Sequence, residues 1–139
     1  MNERQKIDAW NEYVPQYLLT RLHGYELMMA PYAIAHMKIG LKLVETNYSF
    51  GTEERARIYL TNTLEPWDKS PRFPEFEALA HEADAVNKIK RYKRFTVVIG
   101  NPPYQKQVGP NKTEPIWSKF VEKSFDLCVD GGYVSLIHP

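Results

Sequence analysis

The spacing of apolar residues divides the first part of the chain into helices and a strand. Residues 6–21 carry apolar side chains three and four positions apart, which predicts an amphipathic helix interrupted or kinked near Pro15. A short strand is predicted from His23 to Leu27. A second helix is predicted from Met28 to Thr46, opened by Pro31 near its first turn. Its apolar stripe consists of Ile34, Met37, Leu41 and Val44.

The middle of the chain continues this alternation. Arg57 to Thr61 alternates apolar and polar residues and predicts a second strand. The proline-rich stretch from residue 65 to residue 74 predicts a loop. Residues 76–89 have apolar positions three or four apart, with acidic residues at the start and basic residues toward the end, and the helix dipole favours that arrangement. This segment therefore predicts a third helix.

The last third predicts two more strands and one more helix. Phe95 to Gly100 is an apolar run typical of a strand, and Gln105 to Thr113 is predicted as a polar loop that carries Lys106 and Lys112. The elements after the loop are a helix from Glu114 to Val129 with Pro115 at its start, a turn at Asp130-Gly131-Gly132, and a strand from Tyr133 to Ile137.

Four alternations of strand and helix indicate an α/β protein whose sheet is mostly parallel and has helices on both faces. Ligands bind such sheets beyond the carboxyl ends of the strands. Glu26, Asn62 and Asn101 each lie at or near such an end. We therefore expect these three polar side chains to converge on one edge of the sheet.

Composition limits the size and the general surface of the protein. The chain has 139 residues, 43% of them hydrophobic and 25% charged, which is enough for one compact domain and too little for two. The net charge of +1 gives no overall basic field, so any contact with nucleic acid must come from local patches.

Several classes of protein are disfavoured by the sequence. Cys128 is the only cysteine, so no disulfide forms within the chain, and the polar N-terminus does not resemble a secretion signal. No apolar run approaches the length of a membrane span, so we expect no membrane partner and a cytoplasmic location. The four histidines have no companions at ligand spacing, and we expect no metal site.

The end of the third strand has the most informative chemistry. Gly100 is followed by Asn101, Pro102, Pro103 and Tyr104, and the two prolines end the strand and hold the backbone extended. The Asn101 side-chain oxygen and the Pro102 carbonyl can together accept both hydrogens of a flat amino group. The ring of Tyr104 offers a face for stacking, which for a nucleobase is worth about 1–3 kcal/mol.

This tetrapeptide resembles the Asn-Pro-Pro-Tyr signature of amino-methyltransferases. The signature occurs in adenine-N6 DNA methyltransferases and in some glutamine-N5 protein methyltransferases. The segments 24–36 and 58–66 are similar to parts of the large adenine-N6 enzymes of single-chain restriction-modification systems. The resemblance covers nearly the whole chain and favours the DNA enzymes.

The resemblance implies a partial Rossmann-like methyltransferase sheet over residues 1–139. Methyltransferases of this family have a glycine-rich cofactor loop after a first strand that lies centrally in the sheet, and both are missing from this sequence. We therefore expect an excerpt or truncated product, inactive by itself, whose partner is the remainder of the parent polypeptide. The expected parts are the ribose and adenine side of the cofactor pocket (22–66), a helical insertion (75–94), the catalytic strand and loop (95–113), and a helix and strand (114–139).

The resemblance also implies residue roles toward the cofactor S-adenosyl-L-methionine. Glu26 corresponds to the acidic residue that accepts hydrogen bonds from the ribose hydroxyls, although a carboxylate at a helix start needs no such role. Asn62 corresponds to a residue that contacts the cofactor adenine, and its alternative is a turn-forming asparagine. Tyr25 and Leu27 flank Glu26 and either line the adenine pocket or belong to the core.

The expected activity is methyl transfer to adenine N6 in a base flipped out of double-stranded DNA, within a restriction-modification system. The catalytic residues would be Asn101, Pro102, Pro103 and Tyr104. One alternative is a non-catalytic remnant that serves as an interaction module. A second alternative is glutamine-N5 methylation of a protein, because an amide NH₂ group presents the same two hydrogens.

Overall fold

The computed structural model describes residues 2–51, 54–66 and 77–137, and these divide into two compact units where composition predicts one body. The first unit, Met1–Asn62, contains α1 (Glu3–Tyr13), a π-helical turn (Val14–Leu18), α2 (Leu19–Arg21), β1 (His23–Glu26), α3 (Met29–Glu45) and β2 (Arg57–Leu60). The second, Thr63–Pro139, contains α4 (Glu77–Tyr92), β3 (Phe95–Gly100), β4 (Gln105–Gly109), β5 (Lys112–Pro115), α5 (Trp117–Leu127) and β6 (Cys128–Leu136).

The first helix follows the sequence prediction, including the interruption near Pro15. Asn2 and Gln5 form a capping box at its N-terminus, which satisfies backbone N–H groups that lack partners within the helix. Pro15 has no N–H to donate, and at this point the helix widens into the π-helical turn, with the Leu19 N–H bonded to the Val14 carbonyl. The kink therefore has a local chemical cause.

One buried cluster of the first unit consists of Val14, Leu19, Leu43 and Tyr48, which come from the π-helical turn, α2, α3 and the segment after α3. Trp10 of α1 packs against this cluster. The end of α1 is tied to the residues after α3 by hydrogen bonds, from Trp10 Nε1 to Thr46 Oγ1 (3.0 Å) and from Asn11 Nδ2 to the Asn47 carbonyl (2.8 Å). These bonds join segments far apart in sequence, which fixes where α3 ends relative to α1.

The apolar stripe predicted on α3 does not face the core. Its members Ile34, Met37, Leu41 and Val44 are between 47% and 58% exposed. The opposite side, with Ile39 and Leu43, packs toward the core instead. The helix is apolar on two sides, so spacing alone identifies a stripe without identifying the side that is covered.

The strands form three separate pairs rather than one sheet. β1 pairs with β2 and β3 pairs with β6, both in parallel, while β4 pairs with β5 in antiparallel fashion. The α/β character and the parallel pairing are therefore confirmed. The described residues do not form the single Rossmann-like sheet that was expected.

Three predictions in the second unit are wrong in their boundaries or type. The polar segment 105–113, predicted as a loop, is the main part of the β4–β5 hairpin. The helix predicted from Glu114 begins only at Trp117, because Pro115 belongs to β5 and pairs with Gln105. The last strand begins at Cys128 and includes the predicted turn, and Gly131 has a φ of 76° within it. The predicted loop at 65–74 and the start of the helix at 76 fall largely outside the described residues.

The segment after α3 contains a buried hydrogen bond that depends on pH. The Tyr48 hydroxyl donates to Glu54 Oε2, and the Gly51 N–H donates to the same oxygen. Burial, together with Glu54, raises the pKa of Tyr48 to about 12. The hydrogen bond from Tyr48 lowers the pKa of Glu54 below its usual range.

We predict that Tyr48→Phe reduces the pH dependence of unfolding at both ends of the pH range. A lowered carboxyl pKa stabilises the fold above its ordinary value of 4.5 and the contribution is lost as pH falls, whereas a raised phenol pKa stabilises it below 10.0 and is lost as pH rises toward about 12. Urea unfolding followed by circular dichroism tests this, with Tyr13→Phe as a control in the same unit. An unchanged pH profile in Tyr48→Phe would contradict the assignment.

Candidate functional site

The carboxyl ends of β1 and β2 lie side by side. Glu26 is the last residue of β1 and is in register with Leu60, the last residue of β2. The Thr61 N–H donates to the Glu26 carbonyl at 2.7 Å, which keeps the chain beside β1 for one residue beyond the strand. Asn62 follows immediately and is exposed. The predicted positions of Glu26 and Asn62 at strand ends are thus found in the structure.

The carboxylate of Glu26 is held by the backbone that follows it. Its Oε1 atom accepts hydrogen bonds from the N–H groups of Leu27 (2.9 Å) and Met28 (3.2 Å). Met28 is the N-cap residue of α3 and provides no side-chain cap itself, so the carboxylate lies at the positive end of the helix dipole. Both hydrogen bonds use Oε1, and by holding the carboxylate group they also restrict the position of Oε2.

Tyr25 and Leu27 differ in their surroundings. Tyr25 is half-buried, and its ring centroid lies 6.4 Å from that of Tyr59 on the neighbouring strand. Leu27 is 66% exposed, so the alternative in which it belongs to the core is wrong. The end of β1 therefore has an exposed apolar side chain directly after the fixed carboxylate.

Two backbone hydrogen bonds hold the tetrapeptide Asn101–Tyr104 at its two ends. Before it, the Gly100 carbonyl accepts from the Ile137 N–H at 3.0 Å, and after it, the Tyr104 carbonyl accepts from the Ile116 N–H at 3.0 Å. Pro102 is buried, while Asn101, Pro103 and Tyr104 are exposed, Tyr104 to 43%. The buried Pro102 is thus preceded by the exposed side-chain amide of Asn101 and followed, two residues later, by the exposed ring of Tyr104.

The pairing that positions this tetrapeptide contains an irregularity. Phe95 pairs with Cys128, but Val97 pairs with Tyr133, so β6 contains extra residues at this point. A Cβ atom at Gly132 would lie 2.6 Å from Cys128 Sγ and 2.7 Å from the Thr96 carbonyl oxygen. Only glycine fits this position. The sequence predicts a turn at Gly131-Gly132 but gives no sign of this close packing.

One groove of the second unit lies outside the predicted site residues. It runs between α5 and β6 and is lined by residues that include Val121, Phe125, Cys128 and Gly132. None of the predicted site residues lines it. We therefore place the candidate site at the strand ends, because the exposed acceptor and the exposed ring lie there.

The predicted site residues are divided between the two units. Glu26 and Asn62 belong to the first, and Asn101 through Tyr104 belong to the second. Their convergence on one edge stays a prediction. The hydrogen bonds from Ile116 and Ile137 to the tetrapeptide's flanks were missed, because no local pattern in the sequence indicates them.

The described residues were also considered as metal ligands and as membrane spans. Their histidine, cysteine, aspartate and glutamate side chains form no group of three that could hold a metal ion. None of their helices combines the length and apolar content that a membrane span requires.

Comparison with known proteins gives one match. A family model described as Eco57I restriction-modification methylase matches residues 20–139. This range includes both parallel strand pairs, the hairpin and the tetrapeptide. No curated protein and no solved structure matches the chain.

We predict that Gly132→Ala destabilises the β3–β6 pair, because the new methyl group would overlap a backbone oxygen that cannot move without breaking the strand pairing. Gly40→Ala is the matched control. A Cβ there meets nothing within 4 Å, and alanine in a helix is favoured over glycine by about 0.5–1 kcal/mol. Thermal unfolding should give a lower midpoint for Gly132→Ala and an unchanged or higher one for Gly40→Ala. Equal midpoints for the two variants would refute the close packing.

Proposed function

Because the chain belongs to the Eco57I restriction-modification methylase family, we propose that it is part of a DNA methyltransferase that uses S-adenosyl-L-methionine and modifies adenine at N6. The family supports a methyltransferase role in restriction-modification systems. The transfer to an amino group rests on one observation, the exposed Asn101 next to the buried Pro102 at the end of β3. The choice of adenine rests on the resemblance of segments 24–36 and 58–66 to adenine-N6 enzymes. The sequence Asn101–Tyr104 supplies the acceptors and the stacking face that an exocyclic amino group on a flat base requires.

The mechanism starts from the weak nucleophilicity of the adenine amino group, whose lone pair is conjugated with the ring. The Asn101 side-chain oxygen and the Pro102 carbonyl accept the two N6 hydrogens. These bonds draw the nitrogen toward tetrahedral geometry and direct its lone pair away from the ring. The backbone on both sides of the tetrapeptide is hydrogen-bonded before the base arrives, which reduces the reorganisation needed during the reaction.

Tyr104 acts on the base rather than on the reacting atom. A base inside a duplex is inaccessible, and flipping it out costs a few kcal/mol. Stacking on an aromatic ring returns about 1–3 kcal/mol. The bond from Ile116 to the Tyr104 carbonyl holds the backbone at this ring, so the stacking face is present before the base enters.

The end of the β1–β2 pair fits the ribose and adenine of S-adenosyl-L-methionine. The Glu26 carboxylate uses Oε1 for two backbone N–H groups, which leaves Oε2 as the acceptor for ribose hydroxyls. The exposed side chains of Leu27 and Asn62 provide an apolar and a polar contact for the adenine. When bound, the cofactor supplies an electrophilic methyl group on a sulfonium.

Each parallel pair has an open edge among the described residues. Parallel sheets are normally buried on both faces, yet Val97 and Ile99 of β3 are 57% and 77% exposed. Among the described residues β1 pairs only with β2, and β3 only with β6. In the methyltransferases that the chain resembles, a further strand lies centrally in the sheet and precedes the glycine-rich loop. That strand and loop come from the remainder of the parent polypeptide, and we call the polypeptide that contains them the complete enzyme.

We predict that Asn101→Ala in the complete enzyme abolishes methyl transfer and leaves cofactor affinity within a few-fold, because the variant removes an acceptor for the substrate and no contact to the cofactor. Asn101→Asp should retain some activity, since a carboxylate still accepts. Single-turnover transfer to duplex DNA and titration calorimetry measure the two effects.

Near wild-type transfer by Asn101→Ala would refute the amino-methyltransferase proposal and favour the non-catalytic interaction module. Transfer that proceeds on glutamine-containing protein and not on DNA would favour the glutamine-N5 alternative, because both substrates present two hydrogens to the same acceptors.

We predict that Tyr104→Ala in the complete enzyme weakens transfer by about 5- to 150-fold, the loss expected from roughly 1–3 kcal/mol of stacking. Tyr104→Phe should retain most activity because it keeps the aromatic face. A tritiated-methyl transfer assay compares them. If the phenylalanine variant were as impaired as the alanine variant, the hydroxyl group would be the important feature and the stacking role would be wrong.

A further inference from the structure

The β4–β5 hairpin, residues 105–115, begins directly after Tyr104. All of its residues are exposed except Gly109, so the hairpin packs on little of the described protein. The Ile116 N–H donates to the Tyr104 carbonyl, which closes the base of the hairpin. The position of the hairpin is therefore tied to the ring proposed to stack on the target base.

The strand register separates two kinds of side chain. Lys106 pairs with Glu114, and the register shifts between Gln107 and Gly109, where β4 has one extra residue. Lys112 lies two residues before Glu114 on β5, the strand without the extra residue, so these three share one face. The opposite face carries uncharged residues, and there Gln107 Nε2 donates to the Gly109 carbonyl at 3.3 Å. The uncharged face therefore takes part in the hairpin's own turn, while the charged face is available to a ligand.

The charged face has two lysines and one glutamate, a net charge of +1 that equals the net charge of the whole chain. A protein without an overall basic field needs local patches of this kind to contact phosphates. Lys106 lies two residues after Tyr104, so a phosphate contact there would be near a base that stacks on Tyr104.

The basic end of α4 is a weaker candidate for such contacts. Lys90 is only 6% exposed, and burial lowers its pKa. The Arg94 guanidinium donates to the carbonyl of Lys93 at 2.9 Å and approaches those of Lys90 and Arg91. Lys90 is therefore buried and Arg94 is hydrogen-bonded to backbone carbonyls at the helix end, in contrast to the exposed lysines of the hairpin.

We propose that the β4–β5 hairpin is a DNA-contacting arm that lies along the strand bearing the target base, with Lys106 and Lys112 on its phosphates. This inference rests on the proposed function, since it takes the occupant of the Tyr104 site to be a base from duplex DNA. The arm orients the strand on one side of the flipped base. It carries no sequence specificity, because phosphate contacts do not distinguish bases.

The experiment measures binding of the complete enzyme to a short fluorescent duplex by anisotropy over a series of salt concentrations. Each phosphate contact adds close to one unit to the slope of log affinity against log salt. Lys106→Gln/Lys112→Gln should therefore reduce the slope by about two units. The control, Lys6→Gln/Lys38→Gln, removes the same charge from exposed positions in the first unit and should leave the slope unchanged.

A variant that removes the opposing charge tests the arm in the other direction. Glu114→Gln should strengthen binding at low salt, and this gain cannot come from misfolding. An unchanged slope in the double lysine variant, or an equal loss in the control, would overturn the inference.

The outcomes also separate this inference from the proposed function. If the lysine variant keeps the wild-type slope while Asn101→Ala abolishes transfer, the arm is wrong and the methyltransferase stands. If Asn101→Ala leaves methyl transfer intact while the double lysine variant has a smaller slope of log affinity against log salt, the hairpin binds DNA but the catalytic proposal fails.

Discussion

The parallel pairing of β3 with β6 is the interaction on which the geometry of the tetrapeptide depends. It fixes Gly100 through the Ile137 N–H, and the chain leaves the pair at that point into two prolines. The prolines cannot continue the ladder, so the chain leaves the strand pair at a defined place, where Asn101 is exposed. Catalysis by positioning requires this kind of rigidity, because a misplaced acceptor cannot direct the lone pair of the target nitrogen.

Glu26 shows how one side chain can serve both the fold and a ligand. Its carboxylate accepts two backbone N–H groups at the start of α3, where the helix has no other side-chain cap. The structural role, at the start of the helix, uses Oε1, and the proposed role, as a ribose acceptor, uses Oε2 of the same carboxylate. Fixing the first oxygen orients the second at no further entropic cost.

Local signals in the sequence predicted the elements that local chemistry determines. The end of β3 was predictable because Gly100 is followed by Pro102 and Pro103, and the kink of the first helix because Pro15 lacks an N–H. The hairpin was missed because its alternating residues are all polar and show no apolar period. Which side of α3 is exposed, and which strands pair, depends on contacts between segments far apart in sequence, and a local sequence pattern does not predict such contacts.

The exposed apolar faces have a consequence for handling the protein. The stripe on α3 and the bare side of β3 combine apolar surface with open strand edges, and such edges pair readily with other chains. The 139-residue polypeptide is therefore expected to self-associate during purification. Polar substitutions on the exposed side of α3 are the physical remedy, because they weaken contacts between copies without changing the buried core.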